Sequence, residues 1–443
     1  MRFTMANPHL WTQFAQALIS NGQVKQALAV FHECVSQFPD DPLTLLTAAN
    51  FAVGKAERPD LCVEWSNKVV ERFKGHFLEA RAQFLLGRGY WVLSEQETVS
   101  HKRQELHRKG LKHLEAAVEI DSKDVSYLFH LAVCLAESRQ LHNAKKEVQR
   151  SLTINQGHTG CLHLLALILT AEKAYAEAAK ICDLALQKQP DNFGLLDCKI
   201  RLDMAVDNTS GALASCKAAL ALWRSLYSEE RSRLIDQVIQ DEHSMSELDT
   251  KLQDYANLEM VDPDLASDTG SSQFTMSGPR ASVSASNALQ ARIWCTVADV
   301  FLKAGKTSDA LSCVREAQFL APHFPSVLLS YGRVMQASNN EKASGELYRS
   351  ALALQPTNPI ALTLIGQLMY HSKRYDQAEK YLQEATAVDQ LNHEAWYWLG
   401  EVFLSQGHKE LAANCYRTAL DLELTAPLQP FSVVLSSLIP SSL

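Results

Sequence analysis

Large apolar residues and small residues recur along the chain at a fixed spacing of 34 positions between Ala291 and Leu424. Within each period, the apolar and small positions fall at intervals that place them on one face of a helix, first in one helix and then in a second. The template columns are Trp294, Ala298, Phe301, Gly305, Ala310, Ala317 and Pro322, and corresponding columns follow three more times in phase. The pattern predicts four consecutive helical hairpins, and we expect the template residues themselves to be buried.

A period of 34 residues, with a large residue opening the first helix and small residues where the second helix approaches, is typical of tetratricopeptide repeats. The same columns occur earlier in the chain, from Pro8 onward and again from positions 125, 159 and 193. In the last of these, Ile200 replaces the usual small residue. We therefore predict an all-α, right-handed tetratricopeptide superhelix, an α-solenoid of about ten hairpins.

Two early hairpins depart from the pattern. The second, from Pro42 to about Phe73, contains Pro59, which we expect to interrupt it, and Trp65, which occupies no large-residue column. The third begins near Ala80 and carries an insertion through residues 96–106, after which the second-helix columns resume about eleven residues late. Insertions within repeats tend to map to one face of a solenoid.

These patterns divide the chain into four parts. Residues 1–226 hold six repeats, and residues 227–290 hold a charged, helix-permissive segment followed by a Ser-rich stretch that we expect to be a disordered loop. Residues 291–426 hold the four in-phase repeats, and residues 427–443 form an apolar, proline-containing tail. The first repeat begins without a polar cap, so we expect the chain to be part of a longer solenoid, or a short isoform of one.

Composition and motif content exclude several classes of function. Hydrophobic residues make up 47% of the chain and the formal net charge is −8, which disfavours a nucleic-acid-binding face. The ten cysteines are scattered singly and read as reduced thiols, and no apolar run is long enough for a membrane span. We find no metal-binding spacing, no cofactor fingerprint and no catalytic motif, and therefore predict a cytoplasmic protein that is not an enzyme and needs no cofactor.

The inner face lacks the lysine and asparagine columns with which chaperone-type repeats hold a peptide carboxylate. We therefore expect the inner groove to bind a folded partner or a helix. Candidate protein-binding residues are Tyr397, Trp398 and Glu401 in the last repeat and Phe431 and Val433 in the tail. Tyr397 and Trp398 follow the packing residue Trp396, so at least one of them must face outward. The tail could dock a partner, but we favour its folding back to cover the last repeat.

Two further candidates carry charge or a modification site. Arg280 precedes Ser282 by two positions, a weak cue for phosphorylation of Ser282, but we favour a passive tether. A basic run in the insertion could touch an anionic lipid surface, but we favour a solvated helix face, because basic clusters of this size are common on soluble helices. Its residues are Lys102, Arg103, Arg108, Lys109 and Lys112.

Whole phrases of the sequence resemble one family. They are LWTQFAQALISNGQVKQALAVFHECV, HLLALILTAEKAYAEA, ALASCKAALALWRSLY and the ending LGEVFLSQGHKELAANCYRTALDLELTAPLQPFSVV. The chain resembles the C-terminal half of the tetratricopeptide repeat protein 7 family, scaffolds of the plasma-membrane phosphatidylinositol 4-kinase alpha complex. The resemblance implies three partners: a hyccin-family protein, a palmitoylated membrane anchor, and the kinase, whose binding is in doubt without an N-terminal half.

We therefore predict a non-catalytic scaffold that is recruited to the plasma membrane through its partners. Two other classes stay open at this point. One is a trafficking or cargo adaptor built on similar repeats, and the other is a chaperone cofactor, which the missing carboxylate-binding columns disfavour.

Overall fold

The computed structural model describes residues 7–97, 99–240 and 279–436, and within these ranges it describes all side chains except those of residues 100, 227–240, 279–286 and 436. All the regular secondary structure in these ranges is helical, and twenty helices pair into ten hairpins, followed by a one-turn helix. The first six hairpins are α1 (Pro8–Ser20) and α2 (Val24–Gln37), α3 (Pro42–Gly54) and α4 (Pro59–Arg72), α5 (Glu79–Gln96) and α6 (Ser100–Ile120), α7 (Val125–Glu137) and α8 (Leu141–Ile154), α9 (Thr159–Ala171) and α10 (Tyr175–Lys188), and α11 (Phe193–Ala205) and α12 (Thr209–Gln240).

The last four hairpins are α13 (Pro279–Lys303) and α14 (Thr307–Leu320), α15 (Pro325–Ala337) and α16 (Glu341–Leu354), α17 (Pro359–His371) and α18 (Tyr375–Val388), and α19 (His393–Ser405) and α20 (Lys409–Glu423), followed by α21 (Val433–Ser436). Each hairpin packs mainly on its neighbours in the chain, as expected of a solenoid. The prediction of an all-α tetratricopeptide solenoid is confirmed.

Residues close together in the sequence determine where each hairpin begins and where it turns. Asp or Asn side chains cap the first helix of several hairpins; Asp124 Oδ1, for example, accepts a hydrogen bond from Ser126 N at 2.7 Å. Nine of the ten turns between paired helices contain a residue with positive φ, which reverses the chain and ends the first helix. Three of these residues are glycines, Asp207 and Asn339 have short polar side chains that tolerate this conformation, and the other four carry side chains that disfavour it by about 1–2 kcal/mol. They are Gly22, Glu57, Arg139, Lys173, Asp207, Gly305, Asn339, Lys373 and Gly407.

Small residues are buried where the paired helices approach. A Cβ added to Gly366 would lie 2.6 Å from Leu382 Cγ, so a larger residue at this position would displace its neighbour. We expected all template columns to be buried. Ala298, Ala310 and Ala317 are, but Trp294 is half-buried and the turn residues Gly305 and Pro322 are exposed.

The irregular hairpins are helical throughout. The prediction that Pro59 interrupts its hairpin is wrong, because it is the first residue of α4, where the missing amide hydrogen is not needed. Trp65 on the same helix is 2% exposed and belongs to the core. In the third hairpin the insertion lengthens both helices, to 18 and 21 residues, compared with the 13 and 14 of a regular hairpin such as α7 and α8.

The stacking continues across the break in repeat spacing. Helices α11 and α12 share a hydrophobic cluster with α13 and α14, to which Ile200 contributes from its unusual column. Helix α12 extends to Gln240, as the helix-permissive sequence allows. The predicted disordered loop, Val261–Asn287, falls mostly outside the described residues, but helix α13 already begins at Pro279, so its last residues are helical.

The tail folds back, but not over the last hairpin as we expected. From Leu424 the chain crosses to the N-terminal hairpins, where α21 contacts α9, and Phe431 and Val434 join the core of the first six hairpins. Nearby, Arg103 Nη1 donates to the carbonyl oxygen of Val388 at 2.8 Å. The last hairpins therefore return beside the first ones.

Candidate protein-binding surfaces

The first candidate surface is a groove at the free edge of the last hairpin, with a cavity volume of about 490 Å³. We call it the terminal groove. Helices α17, α19 and α20 form it, and two carboxylates, Glu394 and Glu423, lie among its lining residues together with a histidine, whereas no lysine or arginine does. Its other principal lining residues are Gln367, His393, Tyr397, Trp398, Tyr416 and Leu420.

Comparison with the preceding hairpin explains why the terminal groove is apolar and open. Tyr397 is 45% exposed, whereas Thr363, 34 positions earlier in the same column, is 3% exposed beneath the next hairpin. Likewise Leu420 is 61% exposed and its counterpart Thr386 only 7%. These columns are stacking positions, and in the last hairpin they have no described hairpin above them.

A cluster of tyrosines around one carboxylate lies beside the terminal groove and includes its lining residues Tyr397 and Tyr416. Tyr416 donates its hydroxyl to Glu401 Oε1 at 2.8 Å, and Tyr370 donates to Oε2 at 3.2 Å. Burial, followed by the hydrogen bond to Glu401, raises the pKa of Tyr416, and the negative charge of Glu401 raises the pKa of Tyr397. Because both oxygens of Glu401 already accept hydrogen bonds, this residue positions the aromatic rings.

The adjacent aromatic pair points in two directions. Trp398 is half-buried, with its ring 5.5 Å from Tyr370 and 5.3 Å from His371, and it packs against the core of the last hairpins. Tyr397 is the exposed member. That one of the two faces outward was expected, but their binding role remains a prediction.

The second candidate surface is the inner face of α7, α9 and α11, which we call the inner groove. Within the chain, the inner groove holds the non-helical segment of the tail. The expectation that this groove binds a folded partner or a helix stays a prediction. Leu428 N donates to Thr170 Oγ1 at 3.3 Å, and Gln429 Nε2 donates to the Asp197 carboxylate. Phe431 is 3% exposed there.

The predicted tail contacts therefore do not lie with the aromatic pair. Phe431 is buried within the chain itself in the inner groove, and Val433 is half-buried on α21, the helix that contacts α9. Sequence analysis missed the residues that hold this segment: Arg139, Thr170, Lys173, Asp197 and Gln429. The equivalent turn positions of Arg139 and Lys173 were visible, but nothing in the sequence linked them to a segment more than 250 residues away.

The basic insertion forms part of α6. Arg103 is half-buried and donates hydrogen bonds to the backbone carbonyl groups of residues 97 and 388, so its role is structural. Lys109 pairs with Glu105 at 2.7 Å within the helix, and the remaining three basic residues, Lys102, Arg108 and Lys112, are exposed. Ser282 lies near the start of α13, among the residues whose side chains the structure does not describe.

Other chemistry is sparse in the part of the chain that the structure describes. All ten cysteines are free and buried, and burial raises the pKa of the thiols of Cys62 and Cys161 to about 11. No group of three potential metal ligands occurs within the described ranges. Among the described helices, none is both long and apolar enough to cross a bilayer.

Comparisons with known proteins agree with this architecture. Tetratricopeptide repeat models match residues 8–51, 296–359 and 364–427. Human tetratricopeptide repeat proteins 7B and 7A are each 30% identical to this chain over 98% of its length. The chain belongs to the tetratricopeptide repeat protein 7 family. It spans about half the length of these relatives, 53% of 7B and 52% of 7A.

A solved member of the same fold extends the structural comparison. The crystal structure of Ypp1 superimposes with a TM-score of 0.58 at 13% identity, covering 93% of this chain and 57% of that one. At this identity the match concerns the fold alone. Within the family, this chain is a tetratricopeptide repeat scaffold.

Proposed function

We propose that the chain acts as a scaffold subunit that helps to assemble a phosphatidylinositol 4-kinase complex and to target it to the plasma membrane. Family membership and the absence of a spanning helix among the described residues support this role. In this proposal its partners are a hyccin-family protein, a palmitoylated membrane anchor and the kinase. The scaffold holds partners together and raises their effective concentration, a binding role without chemistry.

The terminal groove is the surface we assign to the hyccin-family partner. This assignment depends on the exposure of Tyr397 and Leu420, because the residues at the same two columns of the preceding hairpin are buried. A helical partner can stack there as a further hairpin would. The carboxylates of Glu394 and Glu423 favour a partner that presents lysine or arginine beside an apolar helix face.

In the same proposal, residues 1–226 and 291–426 act as one continuous rigid support, because the hydrophobic cluster at α11 to α14 joins them. The exposed basic residues of α6 take the simpler role of a solvated face. Membrane recruitment then passes through the partners, and vesicle binding by the isolated chain that depends on Lys102, Arg108 and Lys112 would assign recruitment to the chain itself.

The test is co-purification of the chain with a hyccin-family N-terminal domain and, separately, with the kinase. Leu420→Glu places a charge in the terminal groove and should weaken binding of the hyccin-family domain by about tenfold or more. Phe319→Glu is the matched control, because Phe319 is 76% exposed on α14, outside the terminal groove, and should leave binding unchanged.

Several outcomes would reject the proposal. Equal loss of binding affinity in both variants would show that the terminal groove is not part of the interface. Failure to bind either partner would show that the chain is not a subunit of the kinase complex. Recovery of coat or motor subunits instead would favour the cargo-adaptor class. Measurable binding of an acidic C-terminal peptide would favour a chaperone cofactor.

A further inference from the structure

Two equivalent turn residues hold the backbone of the tail. Arg139 and Lys173 occupy the same turn position in consecutive hairpins, 34 residues apart, and both have a φ of 60°. Arg139 Nη1 donates to the carbonyl oxygen of Thr425 at 2.5 Å, and Lys173 Nζ donates to that of Ala426 at 3.3 Å. Two consecutive hairpins thus hold two adjacent carbonyl groups, which fixes the position of the tail where it enters the inner groove.

A second equivalent pair surrounds one side chain of the tail. His163 on α9 and Asp197 on α11 also lie 34 positions apart, and both are close to Gln429. Gln429 is 3% exposed, and its Nε2 donates to Asp197 Oδ2. A buried amide that donates to a carboxylate is a selective contact, because an apolar side chain in its place would leave the carboxylate without this partner.

Apolar positions of the tail complete the contact. Phe431 and Val434 are 3% and 0% exposed in the core cluster of the first six hairpins, whereas Pro430 between the glutamine and the aromatic residue faces outward. The pattern that the inner groove accommodates is therefore a glutamine, an aromatic residue two positions later and a branched aliphatic residue three positions after that. Backbone contacts fix the register of this pattern.

The polar groups of the inner groove are not saturated by the tail. His163 is fully buried, and neither ring nitrogen has a partner in hydrogen-bond geometry, nor has Gln429 Oε1, although the amide is close enough to oppose the lowering of the histidine pKa. Burial lowers the pKa of His163 to about 4, so the ring is neutral near pH 7 and keeps one N–H donor. A segment that paired this ring nitrogen with an acceptor in good geometry would gain a buried hydrogen bond that the tail does not make.

We propose that the inner groove is a recognition site for an extended protein segment carrying this glutamine and aromatic pattern, and that the tail is its resident ligand, which a partner's segment of the same pattern replaces. The proposal concerns a surface other than the terminal groove and does not depend on the kinase complex. Because the tail is tethered, it competes at an effective concentration of about a millimolar.

The experiment uses the full chain and a fluorescent peptide of residues 424–436. In Phe431→Glu the tail carries a charge that the apolar pocket rejects, so the tail should leave the groove and the wild-type peptide should bind about tenfold or more tightly than it binds the wild-type chain. A peptide with Gln429→Ala should bind the same variant about tenfold more weakly. Circular dichroism and limited proteolysis check that the hairpins stay folded and that the tail is released.

A matched pair of second substitutions tests the register. In the Phe431→Glu background, Lys173→Ala should weaken the peptide about fivefold, whereas Lys373→Ala, at the same turn position of a hairpin away from the tail, should have no effect. Gln429→Glu, which places a carboxylate against Asp197, provides an independent way to release the tail. The proposal is overturned if the peptide binds neither released variant, or if the wild-type and Gln429→Ala peptides bind equally.

Discussion

The contact between Arg139 and the tail can be isolated with a pair of glycine substitutions. Arg139 and Lys373 both occupy the left-handed turn position, where three other hairpins have glycine. Arg139 donates to the Thr425 carbonyl oxygen, and Lys373 is exposed at its own turn. Replacing either by glycine changes the backbone in the same way, but only Arg139→Gly removes a contact to the tail.

Two contributions to the free energy of unfolding have opposite signs. Glycine relieves about 1–2 kcal/mol of left-handed strain, which stabilises the folded state. The greater freedom of glycine in the unfolded chain destabilises the folded state by about 0.5–1 kcal/mol. Lys373→Gly should therefore be slightly stabilising. Arg139→Gly also loses a hydrogen bond from a charged donor, about 1.5 kcal/mol at a half-buried site, so it should be neutral to destabilising, with a difference of about 1.5 kcal/mol between the two variants.

Native-state hydrogen exchange measures this difference where it arises. The amide of Leu428, bonded to Thr170, should exchange about tenfold faster in Arg139→Gly, since 1.4 kcal/mol corresponds to a factor of ten. In Lys373→Gly its exchange should match that of the wild type. Equal exchange in the two variants would refute the idea that Arg139 holds the tail, and would make the strain at the turn the dominant effect.

Three other predictions address the hairpins themselves. In urea unfolding, Gly400→Ala should destabilise the protein by about 1–3 kcal/mol, because the new Cβ would lie 2.8 Å from a tyrosine ring. Gly54→Ala is the control: its Cβ would have nothing within 4 Å, so it should stabilise the protein by about 0.4–1 kcal/mol. Similar effects of the two substitutions would contradict the packing argument. Trp65→Ala should cost about 3–5 kcal/mol, and a cost below about 1 kcal/mol would mean that this ring is not part of the core. Burial raises the pKa of Glu137 to about 7, so its folded state holds a proton that the unfolded state has lost, and stability should fall as pH rises from about 4.3 to 7. Glu137→Gln should lack this pH-dependent contribution to the free energy of unfolding. The wild-type free energy minus that of the variant should therefore fall over this pH range. A difference that does not change with pH would mean that the carboxylate is exposed to water.

Local sequence was sufficient for most of the fold. The starts predicted at 125, 159 and 193 coincide with the first residues of α7, α9 and α11. Helix boundaries, turns and small packing columns depend on residues within one hairpin or its neighbour, and in a solenoid these contacts dominate. The sequence also indicated which aromatic residues of the last hairpin to inspect, and Tyr397 is exposed there.

Where distant parts of the chain meet was decided only by the tertiary structure. Arg139 and Thr425 are 286 positions apart, and their distance depends on small rotations accumulated over the intervening hairpins, which no single repeat specifies. The same rotation brings Arg103 to Val388 and the tail to the inner groove. The sequence by itself therefore determined the repeating unit and its stacking, and the superhelix decided which surface remained open and which the chain covered itself.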